Sequence, residues 1–379
     1  MKIIHNTKKL KNITSLIFDM DGVITSEERY WDCAGLVVAE IIEKYLNIKT
    51  GNFNINSFDD LVKLRKKYLT DDEIIGLKNL AINTNWDVAY IAAAIRIINA
   101  INITGATPKG CCIDTEYLNK IGKHINEYKI NSSDLEKPLT IKKFINYMKE
   151  NKKRGFEVID SINDFLPHLP HIYHKLFKRN DKFWILCKDI FQIWYLGNKE
   201  RKGMIHYENL LLDEHDIKKT LSDLKCAGFD LKIGTGRPYN ELIIPLKNHN
   251  LLDFFSSSGI ATNDDVEKTE KSLKNKGIDI KLSKPNPYLF LRAIHGKEID
   301  NEFIQRNGKI EYKNKEYYEK FAVVGDAVSD MIAAKEIGCI AIGVLPALNK
   351  ERMEKELIDN GADVILDDIT HLPDVFRQI

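Results

Sequence analysis

The residues able to do chemistry gather at four places, three of them just past a short apolar run. Asp19 and Asp21 end the run Ile13–Phe18, in Phe18-Asp19-Met20-Asp21-Gly22-Val23-Ile24. Thr235 ends Leu231–Gly234, in Lys232-Ile-Gly-Thr235-Gly236-Arg237-Pro238. Lys284 stands before two prolines in Ser283-Lys284-Pro-Asn-Pro287. Asp326 and Asp330 follow Phe321–Val324, in Val323-Val-Gly-Asp326-Ala-Val-Ser-Asp330. Taken singly, each has an ordinary reading. Asp-x-Asp-Gly is a polar turn closed by an Asx cap, or a calcium loop whose later acidic positions are missing. Thr235 is a helix N-cap, or the hydroxyl of an anion-binding turn that offers free N–H groups between a strand and a helix. Lys284 is a turn lysine. Asp326 and Asp330 are acids at a helix N-terminus, where the macrodipole favours them.

The elements that must position these residues are legible around them. Ile13–Phe18, Leu231–Gly234, Phe321–Val324, Cys339–Val344 and Ala362–Leu366 are short runs rich in β-branched residues, separated by helical patterns such as 214–226. Such runs predict βαβ units around a buried parallel sheet. In open α/β sheets ligands bind just beyond the carboxyl ends of the strands, where these polar residues lie. The middle, 27–212, has few strand signals. Helical periodicity occurs at 36–45, 57–69, 86–100, 139–150 and 183–196, so the segment reads as a largely α-helical insertion. Lys268–Lys276 is a charge run that suits a solvated helix or loop face. Asn-Gly within Phe303–Tyr312 predicts a β-hairpin on the core surface.

Composition narrows the function classes. The 379 residues allow two or three domains. With 56 Lys and Arg against 55 Asp and Glu, the net charge is +1, which argues against a broadly basic nucleic-acid binder and a polyanionic tail. The N-terminus lacks the apolar stretch of a secretory signal. Val88–Ile103, interrupted by Arg96, Asn99 and Asn102, reads as too short and too polar for a membrane span. Six cysteines without CxxC spacing suggest reduced thiols in a cytoplasmic protein, although the adjacent Cys111 and Cys112 leave room for oxidation or metal binding.

The four segments in this order resemble the haloacid dehalogenase (HAD) superfamily. The resemblance covers 1–26 and 213–379, and the four motifs are specific as a set. The remainder, 27–212, falls where that superfamily inserts its cap, and this insertion is unusually long. The resemblance implies an α/β, Rossmann-like parallel-sheet core with an inserted, mainly helical cap. It implies a Mg2+-dependent phosphatase that takes a small phosphorylated metabolite, with no nucleic-acid or membrane partner. On it, Asp19 is the nucleophile that forms an aspartyl-phosphate, and Asp21 is the general acid and then base. Mg2+ is held by Asp19, the Asp21 main-chain carbonyl, Asp326 and waters. Thr235, Gly236 and Lys284 hold the phosphoryl group. Asp330 supports the metal site or pairs with Lys284. Four ionised aspartates outweigh the charge returned by Mg2+ and Lys284, so one carboxyl pKa should be pushed up, with Asp21 the expected bearer.

The acid two residues after the nucleophile favours ester chemistry over C–halogen or C–P cleavage, because an alkoxide leaving group needs a proton. A phosphosugar mutase is the alternative enzyme; mutases of the family carry a histidine where this chain has Trp31. A non-catalytic binding protein on the same scaffold is the second alternative, motivated by the long insertion. Candidate substrate contacts in the insertion are Arg29, Tyr30 and Trp31, and the aromatic stretch Phe183, Trp184, Phe191, Trp194 and Tyr195, whose helical spacing reads first as core packing. His168, His171 and His174 recur at intervals of three beside Pro167 and Pro170, as surface histidines or a metal site. Arg237 suits either a second anion contact or a structural salt bridge.

Overall fold

The structure, a computed structural model, describes residues 2–4, 7–48, 57–80, 82, 84–106, 112–166, 176–296, 315–346 and 350–377. The chain divides into two compact units. One comprises Met1–Glu27 with Glu208–Ile379, the other Glu28–Tyr207. The chain rejoins the first unit at Glu208, so residues 208–212 lie with the sheet. The proposed hairpin at Phe303–Tyr312 falls outside the described residues, as do Cys111, His168, His171 and His174.

The first unit is built on a sheet of seven strands: β1 (Lys2–Ile3), β2 (Ser15–Phe18), β3 (Asp230–Gly234), β4 (Ile260–Ala261), β5 (Phe321–Gly325), β6 (Ile340–Val344) and β7 (Val364–Leu366). Their order is β1-β7-β6-β5-β2-β3-β4, with β1 antiparallel to β7 and every other neighbouring pair parallel. All five runs read from the sequence are strands. The two strands the sequence pattern misses, β1 and β4, have two residues each, too short for any period to register.

Both faces of the sheet are covered, so alternate residues of one strand enter different cores. Leu16, Phe18, Leu231, Ile233, Ala322, Val324, Ile340, Ile342, Val364 and Leu366 join one core. The helices Glu214–Cys226 and Tyr239–Asn248 contribute Leu221, Leu224, Leu242 and Leu246 to it. Ile17, Phe321, Val323, Cys339, Ala341 and Ile365 face the other core, with Leu289 and Phe290 of the helix Tyr288–His295 and Met331 and Ile337 of the helix Val328–Ile337. Burial on both faces explains the unbroken apolar runs. The α/β, parallel-sheet reading holds, as does the helical insertion. The run Lys268–Lys276 belongs mostly to the amphipathic helix Asn263–Asn275, which buries Val266, Thr269 and Leu273.

The first strand in the chain after the antiparallel edge, β2, lies inside the sheet between β5 and β3. The chain builds outward through β3 and β4 on one side, then crosses to β5, β6 and β7 on the other. Crevices of α/β sheets open at such a reversal. Phe18 pairs in register with Ile233 on β3 and Val324 on β5. Asp19, Thr235 and Asp326 therefore emerge beside one another from three adjacent strand ends.

Among the described residues of Glu28–Tyr207 the structure is helical. Helices Phe58–Tyr68, Asn85–Thr104, Ile141–Glu150 and Lys182–Leu196 fall on four of the five periodic stretches, and the fifth, 36–45, lies where Glu28–Glu40 runs into a π-helical turn, Ile41–Tyr45. Short polar side chains start these helices: Ser57, Thr70, Thr84, Thr140 and Asp181 each accept a first-turn N–H. Asn85–Thr104 is longer than the apolar stretch suggested. By length and composition it could cross a membrane, yet 83% of its apolar window is buried inside this unit. Its Tyr90 ring lies 5.5 Å from that of Phe183, and both are buried.

Two polar groups fix this interior. Asp32, 1% exposed, receives Arg65 Nε at 2.8 Å and the Arg29 guanidinium. Gly35 admits Arg65, whose Cγ would lie 2.4 Å from a Cβ there. Asn99, fully buried, donates to the carbonyls of Leu135 and Leu139 at 2.7 and 2.8 Å and accepts the Leu139 N–H at 3.1 Å. Asn99→Ala would leave these main-chain groups without a partner, at a cost of about 2–4 kcal/mol. Urea denaturation of the variant should show this as a lower midpoint with an unchanged slope.

Candidate active site

The strand ends bring the predicted residues together. Asp19 sits one residue past β2, its N–H bonded to Val324 O at 2.9 Å. Lys284 reaches in from the segment before Tyr288–His295, its Nζ 3.0 Å from Asp19 Oδ1 and 2.8 Å from Asp330 Oδ1. The Phe290 ring lies 5.2 Å from the same ammonium. Carboxylate oxygens of Asp19, Asp326 and Asp330 lie within 4.8 Å of one another. Asp330, 0% exposed, also accepts the Ala327 N–H at 3.2 Å, so one carboxylate caps its helix and orients the lysine.

Two glycines make room for this crowding. Gly22 has φ +73°, and a Cβ there would lie 2.0 Å from Asp326 Oδ2. At Gly325 a Cβ would meet Asp330 Oδ2 at 2.5 Å. Any side chain at either position displaces an acid of the cluster. Thr235 is 1% exposed; its N–H donates to Ala261 O and its hydroxyl oxygen accepts the Arg237 N–H at 3.2 Å. The hydroxyl hydrogen is left to donate elsewhere. A Cβ at Gly236 would meet no atom within 4 Å, so its backbone is approachable.

The electrostatics are those of buried like charges. Burial, reinforced by Asp330 and Asp21 and partly offset by Lys284, pushes the Asp19 carboxyl up to about 6. Burial also drives Asp326 well above the usual carboxylate range, helped by Asp19, Asp330 and Glu27. Burial works against the charge on Lys284, but Asp19 and Asp330 outweigh it and push the ammonium upward. A divalent cation is the natural relief for three clustered oxygens that one ammonium cannot neutralise, and hard carboxylate oxygens suit Mg2+. The donor set therefore fits the expected ion.

The Asp21 carboxylate is taken by Arg237, whose Nε lies 3.0 and 2.9 Å from the two oxygens. Arg237 also holds Glu208, Nη1 lying 3.0 and 2.8 Å from its oxygens. Of the two readings of Arg237, the salt bridge is the one observed. Sequence reasoning missed Glu208 altogether, because it was counted with the insertion and nothing marks a lone glutamate as the partner of a residue 29 positions away. Arg29 is engaged with Glu28 and Asp32, and Tyr30 stacks on Tyr195 at 4.4 Å. Phe183, Trp184, Phe191, Trp194 and Tyr195 are buried packing residues.

The strand order and the convergence of the four loops on one sheet edge agree with the core that the resemblance to the haloacid dehalogenase superfamily implies. No protein-family model and no curated protein matches the chain. Among solved structures, a target of the Northeast Structural Genomics Consortium is 26% identical over 97% of this chain and 99% of that one, with a TM-score of 0.70. A HAD family hydrolase from Deinococcus radiodurans R1 with bound phosphate and sodium is 14% identical, covering 96% and 94%, at a TM-score of 0.41. A hydrolase from Pseudomonas syringae is 16% identical, covering 97% and 99%, at 0.37.

The charge cluster has a consequence for stability. An unfolded aspartate loses its proton near 3.8 and Asp19 in the fold near 6, so raising the pH between them disfavours the metal-free folded state. Asp326→Asn removes one of the opposed charges. In calorimetry without metal, the variant should melt above wild type by a margin that grows as pH rises through this window. Mg2+ should raise the wild-type midpoint by at least about 3 °C near saturation and leave the variant almost unmoved.

Proposed function

We propose that the protein is a Mg2+-dependent phosphatase that hydrolyses a small phosphate monoester through an aspartyl-phosphate on Asp19. The observation that carries this reading is the Lys284 ammonium. It bridges Asp19 and Asp330 while Asp326 completes an acidic set around the same point. A nucleophile, an anion-binding cation and a metal-ligand set thus share one sheet edge.

In the first step an Asp19 oxygen attacks phosphorus, and the ester P–O bond breaks with its electron pair passing to the leaving oxygen. That oxygen takes the proton of Asp21. In the second step Asp21 accepts a proton from water as the water attacks phosphorus, freeing Asp19 and inorganic phosphate. Lys284 and the Thr235 hydroxyl hold the phosphoryl oxygens, with the Gly236 N–H available beside them. Asp19, the Asp21 main-chain carbonyl and Asp326 would hold Mg2+, which neutralises charge on the attacking and transferring oxygens. Asp330 keeps Lys284 in place.

Release of phosphate from para-nitrophenyl phosphate tests the proposal. Wild type should turn over with Mg2+ and lose activity in excess chelator. Asp19→Asn should fall below about 1% of wild type, because the covalent route is closed, with an unchanged circular dichroism spectrum. Retained turnover in that variant would remove Asp19 as nucleophile.

A further inference from the structure

Arg237 does more than neutralise a buried acid. Its side chain is 2% exposed, and its guanidinium is divided between two carboxylates of different character. One edge, Nε and Nη2, serves Asp21, and Nη2 also donates to Thr25 Oγ1 at 3.1 Å. The Nη1 corner is taken by both oxygens of Glu208, whose side chain is 1% exposed. A salt bridge serving stability alone is complete with Glu208. The Asp21 carboxylate is 28% exposed and lies at the strand-end loop.

Guanidinium donors lie in one rigid plane. A guanidinium pinned at one corner by a buried carboxylate therefore dictates the plane in which a second carboxylate can meet its other edge. The same residue acts on the neighbouring loop, since its main-chain N–H fixes the Thr235 hydroxyl oxygen. The chain supports the arrangement from behind: Glu208 lies beside Asn209, whose carbonyl accepts the Ser26 N–H at 2.9 Å, and Leu211 N–H donates to Ile24 O at 3.0 Å. The segment carrying Glu208 is thus tied to the one that follows Asp21.

We propose that Arg237, locked by Glu208, is a positioning residue that sets the plane and direction of the Asp21 carboxyl group for proton transfer to the leaving oxygen. The proposal rests on the phosphatase reading given above and assigns it a second ionic centre, distinct from the one around Lys284. It acts on the step in which the ester P–O bond breaks. Its effect depends on the substrate, because an alkoxide must be protonated as it leaves whereas para-nitrophenolate departs as a stable anion.

The test compares kcat/KM for glycerol 2-phosphate and for para-nitrophenyl phosphate in the Mg2+-loaded full chain. This parameter reports formation of the aspartyl-phosphate and excludes the hydrolysis that both substrates share. Asp21→Asn should lower the alkyl value at least about a hundredfold more than the aryl value, the range of a general acid. Arg237→Lys, which keeps the charge and loses the fork, should lower it at least about tenfold more, and Glu208→Gln should shift the ratio in the same direction. Arg292→Lys, which loosens the comparable pair with Asp265, should leave the ratio unchanged. Equal losses on both substrates in Arg237→Lys and Glu208→Gln, with Asp21→Asn still discriminating, would overturn the positioning role and leave the phosphatase reading intact. Failure of Asp21→Asn to discriminate would overturn the role given to Asp21, and this proposal with it. Should Arg237→Lys not fold, the near-isosteric Glu208→Gln decides by the same ratio.

Discussion

A single lysine ammonium held between two aspartates organises the carboxyl edge of this sheet. Lys284 meets Asp19 and Asp330 at hydrogen-bond distance, and among the described residues Asp326 stands near the same oxygens without an ion pair of its own. Burying such a set is costly: removing a charge from water is repaid only when geometry and pairing are good. Here pairing is incomplete, and the remaining repulsion appears in the raised Asp19 and Asp326 carboxyls. The protein holds this tension because the strands leave it no alternative. Hydrogen-bonded registers fix β2 between β3 and β5, and the residues that leave their ends cannot drift apart. A site that stores uncompensated negative charge favours the approach of a cation.

The second ionic centre solves a different problem. Asp21, two residues from Asp19, could have joined the first cluster and deepened its repulsion. Arg237 draws its carboxylate away and fastens it to Glu208, so two neighbouring acids of one loop enter different environments. Asp19 looks toward Lys284 and the acidic set, whereas Asp21 looks toward a guanidinium. Glycine completes the separation, since only a residue without a Cβ leaves the Asp326 carboxylate its place beside Gly22.

Much of this was legible in the residues themselves. Strands buried on both faces must be apolar throughout, so the five longer ones announce themselves, and the polar residues that end them mark the functional edge. The helices of the insertion are legible for a related reason: Phe58–Tyr68, Asn85–Thr104, Ile141–Glu150 and Lys182–Leu196 show helical spacing of apolar residues, and each starts at a Ser, Thr or Asp that accepts a first-turn N–H. The strands β1 and β4 were not legible, because two residues carry no period and depend wholly on a neighbouring strand for their conformation. Asn85–Thr104 was read too short. Its polar residues suggested interruption, but Asn99 finds carbonyl and N–H partners inside the unit and continues the helix.

The sequence by itself determined the order of elements, the class of fold and the residues that meet around Lys284, because these follow from local periodicity and from polar residues placed at strand ends. Tertiary structure decided the state of each ionisable group. Asp19 and Asp21 are chemically alike in the sequence, and only packing puts one against an ammonium and two acids and the other against a guanidinium. Glu208 gained its role the same way. Charge interactions depend on distance and burial, and for residues far apart in the chain neither quantity exists until the chain has folded.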